Sequence, residues 1–147
     1  MAPGLYLARF PKFEKLDFRA EGAYTNLPGL RDPGFFYFNQ RYRSGYTNNG
    51  NLLGNTIGRQ GYGIRLESTY WFSPLNNVTV YHQMAKTDKS FLGGGGQNTF
   101  GVKANYMWKD RVFVQGMTQV QRWYYPVLSS SPVTNATLSL QLTYRPK

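Results

Sequence analysis

A chain of 147 residues with 17 Lys and Arg against 7 Asp and Glu carries a formal net charge of +10 and has no cysteine. The charge selects anionic partners, namely nucleic acid, acidic polysaccharide or lipopolysaccharide phosphate, and the missing thiols exclude disulfide frameworks, thiol catalysis and Cys-based zinc sites. Aromatics make up 17% of the residues, a β-prone, interface-seeking composition, and the lack of any apolar run of about 18 residues excludes a spanning helix but not a strand-built barrel.

The start, Met1 to Phe10, has neither a charged n-region nor an apolar core, so no secretory signal is read there. Either the stretch Met1 to Phe13, with Leu5, Leu7 and Phe10, adds one rising strand or the chain lacks an N-terminal part, which the missing signal favours. From there a two-residue rhythm recurs. Strands are expected at Leu16 to Thr25, Phe35 to Tyr46, Gly61 to Phe72, Val78 to Lys86, Thr99 to Trp108, Val112 to Tyr125 and Ala136 to Arg145. Most approach the roughly nine to eleven residues that a tilted strand needs to cross a bilayer. Asn26 to Gly34, with Leu27-Pro28-Gly29 and Asp32-Pro33-Gly34, reads as a turn, as do Ser73 to Asn77 and Lys109 to Arg111. Thr47 to Gln60, Thr87 to Asn98 and Pro126 to Asn135 are longer. This alternation of short and long connections is that of an outer-membrane barrel, with turns in the periplasm and loops outside. It makes the first and last strands both descend, so an antiparallel barrel does not close from these seven strands. The expectation is a single all-β unit over residues 1–147, an antiparallel transmembrane β-barrel of about seven or eight strands or the C-terminal part of a larger one.

Successive strand residues face opposite sides. Phe18, Tyr42, Leu66, Tyr70, Phe100, Tyr106, Leu140 and Tyr144 fall on the apolar side, and Asp17, Arg19, Glu21, Asn39, Arg41, Arg43, Arg65, Glu67, Gln83, Lys103, Asn105, Gln115, Gln119 and Gln121 on the other. A Lys or Arg facing lipid at mid-bilayer costs about 2–4 kcal/mol, so the charged parity is the wet one, and it reads as net basic. Two readings stay open for it: a salt-bridged filling of Arg and Glu, or a surface for anionic chains. Under the second, Arg41, Arg43, Arg65 and Lys103 bind carboxylates, and Tyr37, Tyr81 and Trp123 stack on sugar rings, with Trp71 on the same side.

Other motifs carry little. The glycine-rich stretch from Gly54 to Gly61 leads into a strand and not into the helix that a phosphate loop requires. His82 has lipid-facing parity near a strand end, with no matching Ser and acid for a lipid hydrolase. No ligands are spaced for a metal, no cofactor is implied, and the basic residues are scattered instead of forming the stripe that nucleic acid would need.

The segment Gly45-Tyr46-Thr47-Asn48-Asn49-Gly50-Asn51-Leu52-Leu53-Gly54-Asn55-Thr56-Ile57-Gly58-Arg59-Gln60-Gly61-Tyr62 resembles the loop motif of the Wzi-type capsule assembly proteins. In that motif an aromatic strand end leads through a polar stretch to spaced glycines and a new alternating strand, here Tyr62, Ile64, Leu66 and Tyr70. The resemblance implies a bacterial outer-membrane β-barrel that attaches capsular or extracellular polysaccharide at the cell surface, lectin-like and not an enzyme. Its partners would be acidic capsular polysaccharide or lipopolysaccharide, and outer-membrane lipid. The chain is too short for the family's full barrel, and it ends Tyr144-Arg145-Pro146-Lys147, without the usual terminal aromatic. A porin-like channel for anionic solutes and a lipid-modifying outer-membrane enzyme are the competing expectations.

Overall fold

The computed structural model describes residues 2–26, 47–48, 51–52, 60–109, 111–144 and 146. Their strands are β1 (Gly4–Leu7), β2 (Leu16–Tyr24), β3 (Thr47–Asn48), β4 (Asn51–Leu52), β5 (Gly61–Ser73), β6 (Asn76–Thr87), β7 (Gly95–Trp108), β8 (Val112–Tyr124) and β9 (Val133–Tyr144). Seven of them form one antiparallel sheet in the order β1-β2-β5-β6-β7-β8-β9, and β3 and β4 make a separate small pair. The sheet is open, with β1 and β9 at its edges.

The five strands from β5 to β9 are consecutive hairpins with unbroken ladders, apart from a bulge between Trp71 and Ser73. Such neighbours pair because each connection is short enough to return the chain beside itself. The β5–β6 and β7–β8 turns lie at one end of the sheet, the turn end, together with the β1–β2 connection, where Trp71 N donates to Lys15 O at 2.8 Å. The β6–β7 and β8–β9 connections lie at the other, the loop end.

One part of the expected topology is corrected. β2 pairs with β5 along its whole length, from Leu16 opposite Tyr70 to Tyr24 opposite Tyr62. The expected strand Phe35 to Tyr46 lies outside the described residues; β2 and β5, which were expected to flank it, are direct neighbours. The chain therefore leaves β2 and re-enters β5 at the same end, where Thr25 N donates to Gly61 O at 2.8 Å. β2 thus runs opposite to the expected direction, and β1, antiparallel to β2, descends with β5, β7 and β9. Of the expected turn Asn26 to Gly34 only Asn26 is among the described residues, and it lies at the loop end, beside Asp88 and Gln60.

Strand limits also move. Gly95 and Gly96, expected in a loop, pair with Thr87 and Lys86. A Cβ on Gly95 would run into the Tyr125 ring and the Tyr124 carbonyl, so glycine here admits an aromatic lid that stabilises the strand end. Several strands thereby reach 12 to 14 residues.

The division of faces follows the expected parity. Arg65 pairs with Glu21 and Gln83 on the polar face, while Leu66 pairs with Ala20 and His82 on the apolar one. Few residues are buried, and those lie mainly on the polar face: Asp17, Ala23, Thr69, Asn77, Thr79, Tyr81, Ala85 and Thr99. The apolar face has no second layer among the described residues; Leu138 is 83% exposed, and Phe100, Tyr106, Leu140, Leu142 and Tyr144 are exposed too. In water this arrangement would leave a large apolar area uncovered, against the ordinary rule of a sheet buried on one side. His82 sits mid-strand on this face, between Leu66 and Phe100, and not near a strand end.

Candidate functional site

The polar face of β2 and β5 carries four alternating charges. Arg19 lies opposite Glu67 and Glu21 opposite Arg65. Within each strand the cation also reaches the carboxylate two residues on: Arg19 Nη2 to Glu21 Oε1 at 2.6 Å, and Arg65 Nη2 to Glu67 Oε2 at 2.8 Å. Both bridges are part-exposed, so each is worth little alone, but together they make a neutral checkerboard. Toward the turn end Asp17 is buried and satisfied: Thr69 N donates to it at 3.0 Å and Trp71 Nε1 at 2.8 Å.

Tyr81 occupies the centre. Its residue pairs with Gly101, and a Cβ on Gly101 would clash with the Tyr81 ring. The ring therefore lies over β7, and its hydroxyl donates to Gln119 Oε1 on β8 at 2.7 Å. Such an aromatic over a strand glycine pins register while filling the gap the glycine leaves. Only 4% of Tyr81 is exposed. Two cations sit against the ring, Arg65 Cζ at 5.0 Å and Lys103 Nζ at 5.2 Å from its centroid, within cation–π range.

Around this trio runs a rim of amides. Gln83, Gln97, Gln119 and Gln121 line a hollow of about 240 Å³ shared with Arg65, Tyr81 and Lys103. Below it Gln115 donates to Asn105 at 3.1 Å and Asn105 to Asn77 at 3.0 Å, an amide chain across three strands. Primary amides both donate and accept, so an amide-lined surface matches the vicinal hydroxyls of a sugar. Trp123 lies nearer the loop end, opposite Gln97, with its ring 6.2 Å from that of Tyr125.

Of the residues expected to form the site, the structure brings Arg65, Tyr81 and Lys103 together and sets Trp123 closer to the loop end. Tyr37, Arg41 and Arg43 lie outside the described residues. On the described strands of this face Arg19, Arg65 and Lys103 are matched by Asp17, Glu21 and Glu67; the net basic character expected of it rests on Arg41 and Arg43. Arg65 is held by Glu67, as the salt-bridged reading requires. Lys103 has no carboxylate partner among the described residues. The sequence reading missed the glutamine rim as a unit and the Tyr81–Gly101 packing, which depends on register; the recurring odd-numbered Gln residues were the available signal for the rim.

At the loop end, Asp88 accepts from Ser90 N at 2.9 Å, Ser90 Oγ at 2.6 Å and Asn26 Nδ2 at 3.0 Å, and Gln60 Nε2 donates to Asn26 Oδ1 at 2.9 Å. The hydrogen bonds from Ser90 hold the Asp88 carboxyl below its ordinary value of 3.8. This latch ties the residues flanking the β2–β5 connection to the β6–β7 loop.

An open antiparallel sheet with one exposed apolar face and one amide- and charge-lined face defines the class, an all-β protein with two unlike faces. The family model of the capsule assembly protein Wzi matches residues 1–138, and the chain belongs to that family of capsule assembly proteins. Comparison with curated proteins and with solved structures gives no match.

Proposed function

We propose that the chain forms part of a transmembrane barrel in the bacterial outer membrane, where it attaches acidic capsular polysaccharide at the cell surface by binding and not by catalysis. The membrane placement draws support from the apolar face. Tyr24, Tyr62 and Tyr124 mark its loop end, and Trp108 and Tyr144 its turn end, all exposed. From Trp108 to Gly96, β7 advances by about 40 Å at the usual rise per residue, which becomes roughly 30 Å of height once a barrel strand's tilt is allowed for. That height suits a bilayer's hydrocarbon core between two aromatic girdles.

The observation that carries the binding reading is the meeting of two cations, Arg65 and Lys103, at one ring with Glu67 as the bridging carboxylate for Arg65 alone. Like charges brought this close favour an anion between them, and a uronic-acid carboxylate flanked by sugar hydroxyls fits a lysine set among amides. The test is retention of capsule on cells carrying K103Q. Surface polysaccharide should fall, and what binding remains should depend less on salt. Unchanged retention at low and high salt would reject the site.

The porin-like reading finds support in the polar face itself, which would line a water-filled path in a closed barrel. Planar-bilayer conductance separates the two: a glycan-holding barrel conducts poorly and a porin well.

A further inference from the structure

The apolar face of the described strands carries charge at two positions, Lys86 on β6 and Arg122 on β8, and no Asp or Glu at any. Both cations are exposed, neither has an ion-pair partner among the described residues, and both lie at the loop end. Lys86 pairs with Gly96, which pairs in turn with Tyr124; Arg122 pairs with Asn98. They therefore flank β7, about 10 Å apart across the sheet and one side-chain row apart along it. Gly96 leaves the space between them open. A Cβ there would lie 3.6 Å from Lys86 Cγ, so the lysine stem follows the gap beside β7.

We infer that Lys86 and Arg122 form a docking site for the phosphate groups of a phosphorylated lipid headgroup, gripped at the loop-end rim of the apolar face. Two features of the patch choose a lipid over a soluble anion. The cations stand at the level of Tyr24, Tyr62 and Tyr124, and directly below them Ile64, Met84, Phe100 and Val120 present an apolar surface. A ligand that satisfies both must join phosphate to acyl chains. Arginine holds phosphate bidentately and lysine as a point charge, and tyrosines at the same height supply hydroxyl donors. Among the described residues of this face there is no Asp or Glu to neutralise the pair within the protein. The inference rests on the membrane reading given above, but it concerns the opposite face from the glycan site.

The experiment measures binding of fluorescent bisphosphorylated lipid A to the purified chain in maltoside micelles. K86Q and R122Q should each weaken binding about fivefold and the double variant about thirtyfold, as expected for cations at a lipid surface. Lipid A stripped of its phosphates should bind the parent no better than bisphosphorylated lipid A binds the double variant, an arm that needs no substitution. Equal binding of both lipids by the parent, or of lipid A by parent and double variant, overturns the inference. So does displacement of lipid A from the parent by soluble acidic polysaccharide, which would assign the patch to the glycan. If lipid A binding is unchanged in the double variant while K103Q still lowers capsule retention, this inference falls and the glycan reading stands. If the chain enters neither micelles nor vesicles, the membrane reading falls and takes this one with it.

Discussion

At the scale of single residues, Tyr81 organises the polar face. Its ring closes the space over Gly101, holds Gln119 and takes two cations. G101A should force the ring off β7, destabilising the sheet by about 1–3 kcal/mol as other overpacked sites do. Denaturant unfolding in detergent measures the loss, and adding Y81A should recover part of it, because the two residues couple directly. The parity of Tyr81 was legible in the sequence; its burial was not, since alternation says which face a side chain takes but not which residue lies opposite. Arg65 and Glu67 were easier. Two residues apart on a strand they must share a face, so their bridge needed no knowledge of pairing.

At the scale of elements, the strands from β5 onward were legible because each shows alternation bounded by turn formers. The position of β2 was not. Phe35 to Tyr46 alternates as plainly as its neighbours, and period alone carries no information on which strands pair. Gly95 and Gly96, the end of the glycine run, misled in the same way, since glycine signals a turn until an aromatic, as Tyr125 does at Gly95, covers it. The Asp88 latch is a local element with its own test. A carboxyl whose folded value is depressed contributes stability that is complete above its unfolded value, near 3.8, and is lost as the pH falls through the folded one. Carboxyl NMR of Asp88 should therefore show a midpoint below 3.8, and S90A should move it upward by removing the hydroxyl donor. A midpoint at or above 3.8 in the parent would refute the latch.

At the scale of the whole molecule, the three tryptophans report the orientation of the sheet. Trp108 stands on the apolar face, and Trp71 and Trp123 on the polar one. In single-tryptophan variants placed in bilayers of brominated lipid, Trp108 fluorescence should be quenched and that of Trp71 and Trp123 spared. Equal quenching of all three would contradict the membrane placement. Conductance of the inserted protein should be low, as argued above, and K103Q should not raise it if Lys103 marks a glycan site and not the constriction of a channel.

A sheet whose two faces differ this sharply can change length safely only in its connections. Removing one residue from the middle of β8 would turn Gln115 or Gln119 toward the side now held by Val114 and Val120, and would do the same to every residue beyond the cut. Two residues could be lost together at smaller cost, because the faces would be restored, although the ladder would shorten. Insertions and deletions among relatives of this chain should therefore concentrate in the stretches that join β2 to β5, β6 to β7 and β8 to β9, and those that enter strands should come in even numbers.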